Sequence, residues 1–384
     1  MLLAIKGLNH GGAERLVVDS ARAGDHHRFR YEVAFVLAGS DALVGELDAA
    51  SIPVTNLGAG HSLDLRWIVG FRRLLVNGRY AVVHFHLPYT AAVGRLVVLS
   101  LPRHLRPITL YTEHCLWNKV SPLVKMLNRA TVRRDGALIA VSEAAKSSLP
   151  RGPRDMARVV VHGIDPATAR QVVADRESVR AQIRKELAVP DGDLLVITVA
   201  NLRSEKGYDV LLDVAHQAGL RGLPLRFAAA GQGDLEEELV ERHQALGLGE
   251  RFRLLGHRRD ALALLAAADI VVLPSHQDGL PVVLMEALSV GATVVVTEVG
   301  GAPEVITTGV NGILVPPGDP TALVDALALL SADADLRLRL GRTAFEKSGA
   351  FDGSDAFDVA RASREIEGLY EELIAGGRRA GAGA

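Results

Sequence analysis

The chain has 384 residues, more than one typical core, so two or three domains are expected. Hydrophobic residues at 48% and charged residues at 23% fit a soluble globular protein. No apolar run reaches the ~18 residues of a membrane span, and the longest, 91–101 and 261–273, carry Arg95 and Asp269 inside them. In chain order, 2–6 is a short apolar run. Gly11-Gly12 interrupts it, and apolar residues at 13, 16, 17 and 21 then give 13–23 a helical period. Strands are predicted at 31–37 and 52–55, a helix at 65–76, and strands at 82–86, 108–112 and 137–141. Strand, helix, strand repeated in this way means a parallel sheet wrapped by helices.

The pattern restarts after a strand at 159–161 that ends near His162-Gly-Ile-Asp165. Residues 166–190 are polar and helical. Strands follow at 194–200, 225–230, 252–255, 270–273, 293–297 and 313–315, with a helix at 207–218 and another from Asp319-Pro320 through 330. The segment 354–374 reads as a last helix and 376–384 as a frayed tail. Two doubly wound α/β domains in tandem is the economical reading. Ligands of such folds bind at the carboxyl ends of strands, so two facing domains are expected to form a cleft.

The net charge of −2 hides an asymmetry. Residues 1–165 hold 21 Lys and Arg against 13 Asp and Glu, a balance of +8, and the remainder holds 22 against 32, or −10. Aromatic residues at 4%, with no basic stretch interleaved with stacking side chains, argue against nucleic acid. The basic half fits an anionic membrane surface or an anionic substrate, or it is scattered solvated arginine. Cys115 is the only cysteine, so neither an intrachain disulfide nor a cysteine-cluster zinc site is possible, and a reducing, cytoplasmic setting fits. The first ten residues do not read as a secretory signal.

Three segments could carry chemistry. In Ser275-His-Gln-Asp-Gly-Leu-Pro, a strand ends at Pro274 and Pro281 stands where a helix begins, so Asp278-Gly279-Leu280 is expected to offer free backbone N–H groups to an anion. Asp278 and Glu286 then either hold hydroxyls of one extended polar ligand, or Asp278 caps the helix and Glu286 is solvated. In Asn201-Leu-Arg-Ser-Glu-Lys-Gly207, Arg203 and Lys206 lie between a strand and a helix, where a diphosphate is neutralised without metal, although surface loops also carry such residues. Gly11-Gly12 lets backbone approach a ligand or simply makes a tight turn. His84 and His86 share a strand face, but no third ligand at zinc spacing accompanies them. His114, just past a strand end, is the better ligand-facing candidate. Dinucleotide fingerprints, a phosphate loop with Gly-Lys-Ser/Thr and a Gly-x-Ser-x-Gly elbow are absent from the sequence.

In this order the pieces resemble family four of the retaining GT-B glycosyltransferases, over essentially the whole chain. Gly11-Gly-Ala-Glu-Arg15 is similar to the family's N-terminal glycine loop, Val83-His-Phe-His86 to its His-x-His strand, and Tyr111-Thr-Glu-His114 to its ligand-facing histidine. Ala140-Val-Ser-Glu143 matches its usual strand end. Asn201–Gly207 resembles the basic phosphate loop, and Asp278-Gly-Leu-Pro…Glu286 the signature of two glutamates separated by seven residues. Val299-Gly-Gly-Ala-Pro-Glu-Val305 and Asn311-Gly-Ile-Leu-Val-Pro-Pro-Gly-Asp319 match the strings that follow it. Three positions depart: Asp278 stands for the first glutamate, Asn201 for the usual arginine of the phosphate loop, with Arg203 two residues on, and His162 for an asparagine at the domain junction.

The resemblance implies an α/β GT-B architecture of two Rossmann-like domains facing across a cleft. It implies an acceptor-binding domain over 1–165, a nucleotide-sugar-binding domain over 166–350, and a C-terminal helix and tail over 351–384 packing back on the first. It implies a retaining, metal-independent hexosyltransferase that moves a sugar from a nucleoside-diphosphate donor to a hydroxyl acceptor in cell-envelope, glycolipid or polysaccharide synthesis. A nucleotide-sugar epimerase on the same fold and a non-catalytic nucleotide-sugar-binding protein are the alternatives. Its implied catalytic residues are His114, Arg203, Lys206 and Asp278. Its implied donor contacts are Gly11, Gly12, Gly279, Leu280, Pro281 and Glu286. No cofactor is expected, and the acceptor is lipid-linked or a polysaccharide. The setting is cytoplasmic, peripheral at the inner face of the membrane.

Overall fold

The structure, a computed structural model, describes residues 1–61, 64–117, 121–348 and 357–382, with side chains described through residue 376. It comprises two units, Met1–Gly163 with Val359–Ala384, and Ile164–Asp358. The first holds strands β1 (Leu2–Ile5), β2 (Glu32–Leu37), β3 (Val54–Ala59), β4 (Val82–His86), β5 (Ile108–Glu113), β6 (Ala137–Ala140) and β7 (Ala157–Val159). The second holds β8 (Leu194–Val199), β9 (Leu225–Ala230), β10 (Phe252–Leu254), β11 (Ile270–Leu273), β12 (Val294–Thr297) and β13 (Ile313–Val315).

Each unit is one sheet with helices on its faces. The first is ordered β3-β2-β1-β4-β5-β6-β7 and the second β10-β9-β8-β11-β12-β13. The pairings are parallel throughout. Central strands such as β11 (Ile-Val-Val-Leu) and β4 are buried along their whole length, as a sheet covered on both faces requires. Both sheets are Rossmann-like, and in each the chain reverses its direction of winding once, between β1 and β4 and between β8 and β11. Such switch points leave a crevice outside the strand ends, where ligands of open α/β sheets bind.

Several elements differ from their sequence reading; the strand read at 159–161 is β7, Ala157–Val159, and the helix read at 65–76 is Trp67–Gly78. The third strand is Val54–Ala59, not 52–55. Asn56 and Gly58 form a bulge within it: Gly58 takes φ +75°, and its N–H donates to Asn56 Oδ1 at 2.8 Å. The register against β2 shifts there, which an edge strand tolerates. The last helix runs Val359–Ala382 through the stretch read as frayed, while 354–356 lie outside the described residues. That helix belongs to the first unit. Its Glu367 accepts from Tyr31 Oη at 2.5 Å and from the Asp25 N–H at 2.6 Å, and Tyr370 lies edge-on to Phe29 at 6.0 Å.

A helix over Pro88–Leu99 escaped the periodicity reading because it is apolar nearly all round. Its Arg95 is 1% exposed. Arg95 donates to Asp135 at 2.8 Å and to Asn128 at 2.6 Å, and its guanidinium lies 4.8 Å from the Tyr111 ring centre. Burial pushes the Asp135 carboxyl up. No helix among the described residues is long and apolar enough to cross a membrane.

Candidate active site

In the second unit the loops after β8 and β11, the two strands at the switch point, are pressed together. Gly207 takes φ +69°, and a Cβ there would lie 2.0 Å from the Pro274 carbonyl oxygen. Gly300, at φ +53°, brings the loop after β12 equally close, since its Cβ would lie 2.1 Å from the Asp278 carbonyl oxygen. The Glu205 carbonyl accepts the His276 N–H at 2.9 Å, and Thr297 Oγ1 donates to the Ser275 carbonyl at 2.6 Å. Three loops from three strands are thereby fixed as one surface.

On that surface Lys206 Nζ donates to Asp278 Oδ2 at 2.5 Å, and the Gly279 N–H donates to Asp278 Oδ1 at 2.9 Å. Lys206 and Asp278 side chains are 23% and 14% exposed, so the pair is reachable but mostly desolvated. The helix that follows is Val282–Ser289, with Pro281 as its N-cap and no capping side chain. Asp278 is therefore not the helix cap. The Gly279 N–H is also not free, as the sequence had suggested, because the Asp278 carboxylate takes it; the short Asp side chain folds back on its own loop. Leu280 and Pro281 are buried, and Glu286 is half-buried, at the fifth position of the helix. Arg203 shares the Lys206 loop but is exposed and makes no ion pair among the described residues.

The remaining predicted residues lie in the first unit. Gly11 is the N-cap of helix Gly12–Ala23, just past β1, and its N–H turns back to the Asn9 carbonyl at 2.9 Å. Across the switch point, β4 carries His84 and His86, whose ring centres are 4.2 Å apart. His86 Nδ1 lies 3.0 Å from His114 Nε2, and His114 stacks on His162 at 5.2 Å with ring planes 5° apart. His84 bridges Tyr370 Oη and Thr112 Oγ1, each at 2.7 Å. Burial pushes all four imidazoles down, His162 to about 3. Directly after His86, Leu87 takes φ +68° and ψ 142°, a strained geometry for a residue with a Cβ and one that concentrates at functional sites.

Sequence reasoning put His84 and His86 on one strand face and His114 past a strand end, but not that they form a row with His162. His162 had stood out only as a departure from the family string. Tyr370 was missed because it lies 286 residues from His84.

Residues 10–168 match the family described as Glycosyltransferase Family 4, and residues 179–347 match Glycosyl transferases group 1. The chain is 25% identical over 329 residues to alpha-D-kanosaminyltransferase of Streptomyces kanamyceticus, covering 83% of this chain and 84% of that protein. It is 33% identical over 211 residues to D-inositol 3-phosphate glycosyltransferase of Corynebacterium glutamicum, covering 52% of this chain and spanning about half, 48%, of that relative. The crystal structure of Anabaena HepE in complex with UDP-glucose superposes with a TM-score of 0.81 at 22% identity, covering 97% of this chain and 99% of that one. Sucrose-phosphate synthase from Thermosynechococcus elongatus gives 0.79 at 20% identity, covering 98% and 99%. Two parallel Rossmann-like sheets, with a family match lying over each, make this chain a glycosyltransferase of the GT-B fold, with a family 4 domain in its first unit and a group 1 domain in its second.

Proposed function

We propose that the protein moves a hexose from a nucleoside-diphosphate sugar to a hydroxyl acceptor, with retention at the anomeric carbon and without a metal ion. The observation that carries this is the Lys206–Asp278 pair at the switch point of the second unit, a cation and a carboxylate held side by side at the head of a helix. The donor complex of a structural relative and the transferase names of the sequence relatives support it. Lys206, with Arg203 on the same loop, neutralises the leaving diphosphate, and fixed positive charge at a leaving group stabilises the transition state. Glu286 accepts hydrogen bonds from the ribose hydroxyls and Asp278 from the sugar hydroxyls. In the first unit, His114 and the Gly11-Gly12 loop are the ligand-facing groups. The bond from the anomeric carbon to the diphosphate breaks, the acceptor oxygen bonds to that carbon on the same face, and its proton passes to the departing phosphate.

The test is transfer and thermal shift with a panel of UDP-, GDP- and ADP-sugars, with and without excess EDTA. One nucleotide series should raise the melting temperature and support transfer, and EDTA should leave the rate unchanged. Metal-reversible loss of activity would remove the metal-free mechanism.

Asp278 and Glu286 are expected to separate sugar from nucleotide recognition. Charge-assisted bonds to sugar hydroxyls contribute about 1.5–3 kcal/mol, so Asp278→Ala should slow transfer by tens of fold while nucleoside-diphosphate affinity stays within a few-fold. Glu286→Ala should weaken the nucleotide first. Asp278→Glu should lower activity or change donor preference, because the site is fitted to the shorter side chain. An Asp278→Ala protein that transfers at the normal rate removes the sugar contact.

We also propose that the first unit docks on an anionic membrane from the cytoplasmic side, toward a lipid-linked or envelope acceptor. Leu65 (58% exposed), Val69 (54%), Leu123 (58%) and Met126 (61%) project from helices Trp67–Gly78 and Pro122–Thr131, which both pack on helix Pro88–Leu99, and from the turn before the first of them. Arg72, Arg73 and Arg129 are exposed on the same helices. Each basic residue near an anionic surface contributes about 1 kcal/mol. Binding to phosphatidylglycerol vesicles should exceed binding to phosphatidylcholine vesicles and should fall with salt. Equal co-sedimentation with both rules out the electrostatic attachment.

A further inference from the structure

Three buried polar atoms of the first unit, His86 Nε2, His162 Nε2 and Ser363 Oγ, have no hydrogen-bond partner among the described residues. Their residues are 4%, 3% and 3% exposed, so solvent does not serve them. They come from β4, from the segment after β7 and from helix Val359–Ala382, yet their residues line one cavity of about 10 Å³, whose largely apolar wall is completed by Leu3, Leu16, Ile366, Tyr31, His84 and Tyr370. Buried polar groups left unpaired are costly and rare. A polar cavity of roughly 10–15 Å³ accommodates one water, which needs two to four partners. The volume suits one water, and the three unsatisfied atoms belong to residues on the cavity wall. A metal ion does not fit, since no group of three His, Cys, Asp or Glu among the described residues is placed to hold one.

The site is linked to His114. A neutral imidazole carries one N–H, so its two nitrogens take opposite roles. His86 Nδ1 faces His114 Nε2 at 3.0 Å. Whatever bonds to His86 Nε2 therefore decides whether Nδ1 donates to His114 or accepts from it, and with that which nitrogen of His114 keeps its proton.

We propose that this cavity binds a single structural water between His86, His162 and Ser363, and that the water sets the tautomer and ring orientation of His114, so that His86 and Ser363 are positioning residues for it. The importance of His114 rests on the transferase reading above; the water site does not.

The experiment compares the wild type with Ser363→Val, which fills the cavity, and Ser363→Thr, which keeps the hydroxyl. In a high-resolution crystal structure the wild type should show a water within hydrogen-bond distance of all three atoms, and Ser363→Val should show none. The ¹⁵N imidazole shifts of His114 should change in Ser363→Val and stay near wild type in Ser363→Thr, although residue 363 reaches His114 through the water and the rings of His86 and His162. With a transferable donor, kcat of Ser363→Val should fall at least ten-fold, with nucleotide affinity changed less than three-fold. If Ser363→Val does not melt cooperatively, Ser363→Ala, which also lacks the hydroxyl, is read in its place. A dry cavity in the wild type, or His114 shifts that ignore the loss of the hydroxyl, overturns the proposal. Failure of transfer with every donor overturns the transferase reading instead, since neither the density nor the imidazole shifts require a substrate.

Discussion

Lys206→Ala is expected to lower the turnover of sugar transfer by roughly 100- to 1,000-fold, the loss seen when one preorganised group facing developing negative charge is removed. Lys206 stands in the loop after β8, beside the loop after β11, and Gly207 holds the two together because no side chain fits against Pro274. The charge is thus delivered by backbone contacts, and little reorganisation is needed when the diphosphate departs. The effect should be chiefly catalytic. The Lys206–Asp278 pair is only partly open to solvent, so removing one partner costs between the ~0–1 kcal/mol of a surface pair and the ~3–5 kcal/mol of a buried one. Lys206→Ala should therefore melt below wild type but stay folded at the assay temperature. Lys206→Arg restores the charge but not the compact ammonium geometry, and partial recovery is expected. Adding Asp278→Ala to Lys206→Ala should cost less than the sum of the two single effects, because neighbours in one network do not add. Turnover and nucleotide affinity that both stay within a few-fold of wild type in Lys206→Ala mean that another group carries the diphosphate.

The loops that carry the candidate site of the second unit were legible in the sequence because their determinants are local. A buried-strand run, a short loop and a helix start place Lys206, and the same grammar places Asp278 and Glu286. Parallel winding then requires that loops after neighbouring strands meet. What Asp278 does with its oxygens was not legible: that depends on a close approach to Lys206 across 72 residues and on a loop turned tightly enough for the carboxylate to take the Gly279 N–H. The first unit shows the same limit more strongly. His84 and His86 share a face by strand alternation alone, whereas Ser363 reaches their cavity only because helix Val359–Ala382 returns to a sheet begun at Leu2. Nothing in the local pattern around Ser363 marks it as facing histidines.

Arg95 exposes a different limit. In the sequence it is a single charge in an apolar run, and it reads as evidence that the run does not enter a membrane. In the structure it is 1% exposed and held by Asp135, Asn128 and the face of Tyr111. Removing one partner leaves the other charge in a site that water does not reach, and breaking a buried pair in this way typically destabilises by about 3–5 kcal/mol. Asp135→Ala should therefore lower stability by that amount. For a unit of this size each kcal/mol moves the melting temperature by roughly 2–4 °C, so a fall of about 6–20 °C is expected. Replacing both partners with apolar residues of similar volume, Arg95→Met with Asp135→Leu, should recover most of the loss, because buried pairs rarely outperform well-packed apolar substitutes. The recovery is the discriminating result. If the double variant is as unstable as Asp135→Ala, the hydrogen bonds of Arg95 to Asn128, and through Asn128 to the Pro88 carbonyl at 2.9 Å, hold helices Pro88–Leu99 and Pro122–Thr131 together, and the ion pair itself is secondary. If Asp135→Ala melts within 2 °C of wild type, roughly the effect of 1 kcal/mol or less, water reaches Arg95 and the buried-pair account fails.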